Sequence, residues 1–361
     1  LIFLRPLCAA DFRSIRTVFL IVMENTDWRL VKSSTNAPYI NQTLLPMSSY
    51  GEHYYTSPGV HPSLGNYIWL EAGTNFGIYN DSPPPFNLLS TTNHLVNLME
   101  EAGITWRAYA EGVTGTNCPT SDAYPYAVRH NPFMYFTDVI SNETRCVTHV
   151  RPYGELAADL SGNTNVAQYN FIIPNSCDDG HDYCNTNGAV WQLDNWLSTE
   201  VPKITNAPAF TNNGVVFIVF DEGSFQSDGR LGDGPVPFII LSPLAKGNGY
   251  SNDLYYTHSS MVRTIEEIFN LEPFLADAAN ARDFTDLFEF LQMKALIDPH
   301  GADLDLEVSG LIPGRTTVVL WSQDLSTWSE LTNFIPTTST IQIKEPFRAG
   351  ERLRYYRASI P

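Results

Sequence analysis

Short runs of β-branched and aromatic residues alternate along most of the chain with segments of helical period, which is the pattern of an α/β domain built on a largely parallel sheet flanked by helices. Five runs read as strands: residues 17–22, 105–108, 170–173, 215–220 and 236–241. Between the first two, residues 94–101 carry Leu95, Leu98 and Met99 at helical spacing and stop at Gly103, so strand, helix and strand follow in order as a βαβ unit. A second helix is predicted to begin near Ser259, with Val262, Ile265, Ile268 and Phe269 on one side and Arg263, Glu266 and Glu267 on the other. A third is predicted over 284–296. Past Asp298-Pro299-His300-Gly301 the character changes: residues 304–308, 317–321, 340–343 and 353–357 form short alternating runs separated by turn residues, as in a small all-β module over 300–361.

Charge narrows the function. A formal net charge of −18 excludes a nucleic-acid binder, which needs a basic face to displace phosphate counterions. If such a chain handles an anion, the positive charge must be local: a metal ion, a helix N-terminus or a few placed Arg and His residues. The first ten residues, LIFLRPLCAA, are apolar and end in small residues, and they read as a signal-peptide remnant over 1–10, the alternative being an N-terminal strand. Without Cys8 four cysteines remain, the even number an oxidising compartment favours; proximity pairs Cys118 with Cys146 and Cys177 with Cys184. The cysteines lack the C-x-x-C spacing of a thiolate metal site, and no apolar stretch is long enough for an integral membrane segment.

The candidate chemistry lies at strand ends. The run 17–22 leads straight into Met23-Glu24-Asn25, and the run 215–220 straight into Asp221-Glu222. In open α/β sheets functional groups gather at the carboxyl ends of strands, so two acidic pairs distant in sequence can meet on one rim as hard oxygen ligands for a divalent cation. Between them, His61-Pro62-Ser63-Leu64-Gly65-Asn66 turns into an apparent helix, which places Ser63 at its N-terminus. There the free amides and the dipole favour a phosphoryl oxygen and an alkoxide, and Asn66 lies on the same face. Taken alone, Ser63 reads more readily as a helix cap, and each acidic pair as merely solvated or capping the following helix; it is the coincidence of two such pairs that favours the metal rim. His181, in a polar loop past 170–173, and His258, just ahead of the amphipathic helix, are candidates to protonate a leaving group or bind phosphoryl oxygens. Glu111, after 105–108, is similarly placed.

Five stretches taken together, Val18 through Asn25, His61 through Tyr67, Asp179-Gly180-His181-Asp182, Phe220 through Gly223 and Tyr256 through Ser260, resemble the phosphoesterase family of bacterial acid phosphatases and phospholipases C in the alkaline phosphatase superfamily. The resemblance runs from about residue 16 to residue 272. It implies an alkaline phosphatase-like catalytic domain over 11–299, in a secreted or periplasmic bacterial protein. Ser63 would be the nucleophile, forming a phosphoserine intermediate, with one divalent metal ion (Zn, Ca, Mg or Mn) on Glu24, Asn25, Ser63, Asp221 and Glu222. His181 and His258 would stand around the phosphoryl group, with His61, Asn66 and Glu111 toward the substrate. The superfamily's second metal is held by an Asp-His pair where this chain has Asp221-Glu222, which implies a single metal. The extra segments of long phospholipases are missing, which favours a small phosphate monoester as substrate. The sulfatase pattern is also missing, since Leu64-Gly65-Asn66-Tyr67 follows Ser63. Two alternatives stand beside this expectation. One is a phosphodiesterase or phospholipase C on the same site. The other is a non-catalytic secreted protein contacting glycans through the aromatic-rich tail, whose Trp321, Trp328, Tyr355 and Tyr356 read more readily as cross-strand packing.

Overall fold

The computed structural model describes residues 12–162, 166–224, 234–297, 303–311, 314, 316–338, 340–346 and 354–359. The expected signal remnant lies outside them. The chain divides into a unit over Ile15–Phe288 and a second over Glu289–Pro361 together with the N-terminal residues to Ser14.

The first unit is built on eight strands: β1 (Thr17–Met23), β2 (Ser49–Tyr55), β3 (Trp106–Ala110), β4 (Val150–Pro152), β5 (Tyr169–Ile173), β6 (Gly214–Phe220), β7 (Phe238–Leu241) and β8 (Tyr250–Thr257), in the order β4-β3-β5-β1-β6-β7-β2-β8. Only β7 runs against its neighbours. The central strands β1 and β6 are almost wholly buried, which is why they read as unbroken apolar runs rather than alternating ones. Helices α1 (Ser63–Ala72), α2 (Leu95–Glu101), α3 (Ala189–Thr205) and α4 (His258–Phe269) accompany the sheet.

Register sets the site. Met23 pairs with Phe220, so β1 and β6 end level and Glu24 and Asp221 emerge side by side; the Asp221 amide donates to Met23 O at 2.9 Å. Ile21 pairs with Ile172, which brings the loop after β5 to the same edge. Tyr55 pairs with Thr257, so the segments entering α1 and α4 leave that edge too.

Several expectations need correction. β1 and β3 are not neighbours, because β5 lies between them and β2 and α1 intervene in sequence, so 17–22, 94–101 and 105–108 are not a simple βαβ unit. β2, β4 and β8 were not legible as strands: β4 is three residues long, and β2 and β8 carry mixed or largely polar sequences. The predicted helix over 284–296 is a 3-10 turn at Thr285–Leu287 followed by a strand, β9 (Gln292–Ile297). The spacing of Phe284, Leu287 and Phe288 imitates a helical face, but from Gln292 the backbone finds its partners in β10 (Asp303–Ser309). The units therefore divide ahead of the expected boundary at 299/300. On α4, Glu266 is buried rather than on the polar side: it accepts the Leu275 amide at 2.6 Å, and burial pushes its carboxyl up to about 8.

The second unit holds two antiparallel sheets, β13-β10-β9 and β12-β11-β14, adding β11 (Thr317–Ser322), β12 (Ser329–Phe334), β13 (Thr340–Pro346) and β14 (Tyr355–Ser359). Val308, Leu311 and Val319 form its core, with Phe334, Ile341 and Ile343 packed around them. The Arg354 and Arg357 guanidinium groups lie over the Trp321 and Trp328 rings at 4.7 and 4.2 Å, so each indole has a cationic cover from its own chain. The disulfides are Cys118–Cys146 and Cys177–Cys184, as expected. Among the described residues no helix is long and apolar enough to cross a membrane.

Candidate active site

Asn25 turns the chain sharply out of β1 in the left-handed region (φ 46°), which Asn tolerates better than most residues. The turn aims the Asn25 amide at Asp221 Oδ1 (3.2 Å) and leaves Glu24 pointing into the protein, wholly buried. Ser63 opens α1, yet its hydroxyl caps no backbone amide; it donates to Glu24 Oε2 at 3.1 Å. The cap reading of Ser63 therefore does not describe its contacts. Asp81 accepts the Leu64 amide at 3.0 Å and so holds the first turn of the helix from outside.

Glu222 Oε2 collects His61 Nδ1 at 2.8 Å and Asn66 Nδ2 at 3.0 Å, and Asn66 also donates to Val60 O at 2.9 Å. His61 and Asn66 thus pin Glu222 to the α1 entry. His258 is fully buried behind Asp221: its Nε2 donates to Asp221 O (2.7 Å), and its Nδ1 accepts from Tyr54 Oη (3.0 Å). Burial pushes its imidazole down to about 4, so it is a neutral ring with both nitrogens engaged. Glu111 accepts from Asn175 N (3.0 Å), Asn175 Nδ2 (2.7 Å) and Trp196 Nε1 (2.9 Å), bracing the loop after β5; burial raises it to about 7. None of its described hydrogen bonds reaches Glu24 or Ser63.

That loop supplies Asp179 and His181. Gly180 between them has φ +102°, and a Cβ there would lie 2.5 Å from Leu193 Cδ2, so only glycine fits. The Asp179 carbonyl accepts the Glu24 amide at 2.9 Å, and the Asp179 carboxylate accepts the His181 amide at 2.8 Å. His181 donates through Nδ1 to Asp182 (2.7 Å), while Nε2 faces Arg129 Nη2 at 3.4 Å. Arg129 also approaches Asp81 at 3.8 Å. Beside it His130, fully buried and stacked on Tyr67 with ring centroids 5.2 Å apart, sits between Glu24 Oε1 (3.2 Å) and Asp179 Oδ2 (3.0 Å).

The electrostatics are those of a cation site. Burial, then the charges of Asp221, Asp179 and Glu222, hold the Glu24 carboxyl well above its ordinary value. Burial also raises Asp221, with Glu222 adding to it, and raises Asp179. His130 is driven down by burial and by Arg129 and His181. Glu24 Oε1, Asp179 Oδ2, Asp221 Oδ2 and both His130 nitrogens are buried with no hydrogen-bond partner. Such orphaned atoms are costly unless something absent supplies the missing partner. Glu24, His130 and Asp179 offer ligand atoms all within 4.8 Å of one another. This donor set fits a divalent metal and shares Glu24 with the expected set.

A family model described as the phosphoesterase family matches residues 50–272, more than half of the chain. The chain belongs to the phosphoesterase family. An acid phosphatase of Aspergillus fumigatus is 27% identical over 263 residues, spanning 70% of this chain and 54% of the relative. A phosphatidylinositol-3-phosphatase of Mycobacterium tuberculosis is 25% identical over 285 residues, spanning 78% of this chain and 86% of the relative. The chain spans little more than half the length of the fungal and yeast acid phosphatases it matches. Among solved structures, the phosphonate monoester hydrolase of Agrobacterium radiobacter aligns with a TM-score of 0.49 at 10% identity, covering 92% of this chain and 89% of that one.

Within this phosphoesterase the fold gathers Glu24, Asn25, Ser63 and Asp221 into direct contact. Glu222, His61 and Asn66 form an adjoining cluster. Sequence reasoning missed Arg129, His130 and Asp179 as site residues. Asp179 stood inside a quoted stretch without a role, whereas Arg129 and His130 lie in a 3-10 turn, Val128–His130, that no periodic pattern marks.

Proposed function

We propose that this phosphoesterase is a metal-dependent phosphomonoesterase of the acid phosphatase type, working through a phosphoseryl intermediate on Ser63. The observation that carries this reading is the Ser63 hydroxyl at the start of α1, bonded to a buried carboxylate that, like its neighbours Asp179 and Asp221, keeps one oxygen without a hydrogen-bond partner. A divalent cation held around Glu24, by Asn25, Ser63, Asp221 and Glu222 on one side and His130 and Asp179 on the other, would neutralise the attacking oxygen and the phosphoryl group and lower the serine pKa. Its identity among Zn, Ca, Mg and Mn is open to metal analysis.

The chain's own residues do the rest. Glu24 Oε2, 3.1 Å away, is placed to accept the Ser63 proton. The Ser63 oxygen bonds to phosphorus as the ester oxygen departs, and His181, the half-buried histidine of the rim, supplies that oxygen with a proton. Water then cleaves the phosphoseryl bond and releases phosphate. Arg129 is the cation placed to meet phosphoryl oxygens in an otherwise acidic site, and its positive charge gains more from a doubly charged monoester than from a singly charged diester. His61, Asn66 and Glu111 act in this scheme by positioning Glu222 and the His181 loop, and His258 by fixing Asp221. The two disulfides suit a secreted or periplasmic setting.

The test is turnover of an aryl phosphate and a bis-aryl phosphate by the purified chain, with its metal content measured alongside. The expected result is stoichiometric metal, faster monoester hydrolysis, and a loss of about 10⁴-fold or more in kcat for Ser63→Ala. Full activity in that variant overturns the nucleophile assignment. A faster diester reaction points to the phosphodiesterase or phospholipase C alternative.

A further inference from the structure

The catalytic reading leaves unused a second concavity in the first unit, about 620 Å³ in volume, within the size range of small-molecule sites. Its wall includes Val60 and Thr257, which immediately precede His61 and His258, so it adjoins the candidate active site. Three aromatic residues, Trp69, Tyr79 and Tyr255, line it together with Asp277, Asn280 and Arg282.

These groups are set in place before any ligand arrives. The Trp69 indole donates to Ser259 Oγ at 2.8 Å, and Ser259 donates to Asp277 Oδ2 at 2.7 Å, which locks the indole plane against the carboxylate. Tyr255 is stacked on Tyr55, ring centroids 5.1 Å apart and planes 25° from parallel. Yet Tyr79 and Tyr255 are each 58% exposed, an unusual position for two large rings beside one cavity. The Asn280 amide makes no hydrogen bond among the described residues.

Arg282 is matched by Asp286 at 3.4 Å, so the lining offers no unopposed positive charge for a phosphate. Its one carboxylate, Asp277, already accepts from Ser259, and a single carboxylate is too few donors for a metal ion. A purely apolar ligand would strip water from the exposed Asp277 and Asn280 without offering hydrogen bonds in exchange, which costs free energy. The ligand class that matches ring faces and hydrogen-bonding edges together is a polyol ring, whose C–H face lies on an aromatic plane while its hydroxyls meet carboxylate, amide and guanidinium. We propose that this cavity binds the ring of a neutral sugar. Neither its occupancy nor its test requires that Ser63 be a nucleophile.

The experiment is saturation-transfer NMR on the full chain with D-glucose, D-galactose, D-mannose and N-acetyl-D-glucosamine, followed by titration of the sugar giving the strongest transfer. Transfer from at least one is expected, with affinity reduced at least about tenfold in the Tyr79→Ala/Tyr255→Ala variant while hydrolysis of an aryl phosphate is unchanged. Asn280→Ala serves as the second variant should the double change impair folding, and it should weaken the same sugar. No transfer from any of the four, or transfer indifferent to these substitutions, overturns the proposal. So does tighter binding of phenol than of every sugar, which would mark a merely apolar aromatic site.

Discussion

Two histidines in this molecule are each clasped between two carboxylates in the interior, and their surroundings could hardly differ more. His94 donates through Nδ1 to Glu71 at 3.0 Å and through Nε2 to Asp138 at 3.1 Å. Asp138 in turn receives Arg145 Nη1 at 2.7 Å, and Arg145 reaches Glu100 at 3.0 Å. His130 stands between Glu24 and Asp179 at similar distances, but its nitrogens and the facing oxygens satisfy no hydrogen bond. Burial opposes charge on both rings. At His94 the hydrogen bonds outweigh it and lift the imidazole to about 8, whereas at His130 Arg129 and His181 push the same way as burial, and the pKa falls. One cluster is hydrogen-bonded on both sides of its histidine, with only Glu71 Oε2 and Arg145 Nη2 left over, and supports the fold around α1 and α2. The other has four buried acids in mutual repulsion and orphaned atoms on Glu24, Asp179, Asp221 and His130, as a site built for a cation would.

The strongest way to break the comparison is to remove one carboxylate from each cluster. Asp221→Asn should lower kcat/KM for an aryl phosphate by at least about 10³-fold and lower bound metal, because it takes a charged oxygen from the reacting centre. Without added metal it should leave stability unchanged or raise it by about 1 kcal/mol, since it relieves repulsion among Glu24, Asp221 and Glu222. Glu71→Gln should do the reverse, costing about 3 kcal/mol of unfolding free energy with kcat of the folded enzyme within about threefold of the parent. Denaturant titration and steady-state kinetics on the pair decide it. Equal losses of stability in both would show that the Glu24 cluster is structural.

A smaller effect sharpens the same contrast through arginine. Arg145 belongs to the His94 cluster, where it pairs with Asp138 and Glu100, and Arg129 to the rim of the Glu24 cluster. Arg129→Met should reduce kcat/KM for the monoester about 10²-fold and weaken competitive inhibition by inorganic phosphate, with a loss under tenfold on a diester. Arg129→Lys should recover part of the monoester rate, since it restores charge but not the fork. Equal losses on both substrates would remove the assignment of Arg129 to the extra negative charge of the monoester.

The same contrast explains what could be read from the chain. Residues 17–22 and 215–220 were legible because buried parallel strands are continuous apolar runs, and Glu24 and Asp221 were legible because they follow those runs without a linker. Ser63 was legible through the turn and helix that present it. His130 and Arg129 were not: their importance comes from a single 3-10 turn brought against Glu24 by the tertiary fold. The His94 cluster was equally hidden, since Glu71, His94, Asp138 and Arg145 come from four separate segments. The strand at Gln292–Ile297 was misread because its identity depends on a partner, Asp303–Ser309, outside any local window.

The gentlest break is in pH. His94 titrates near 8 in the folded chain against an ordinary value of about 6.5, so it contributes about 2 kcal/mol that is fully present below pH 6.5 and lost as pH rises through 8. Glu71, raised mainly by burial, loses stability in the same direction. Burial works against charge on Asp138, but His94 and Arg145 overcome it and bring it to about 2, so its contribution is present above about pH 4 and lost as pH falls toward 2. The His94–Asp138 pair therefore contributes in full between about pH 4 and 6.5. Urea unfolding of the parent and of His94→Gln, at pH 5, 7 and 9, should show a stability gap that is widest at pH 5 and about 2 kcal/mol smaller at pH 9. A gap that stays constant across that range would mean that His94 acts by packing against Phe136, whose ring lies 4.1 Å away, rather than by charge.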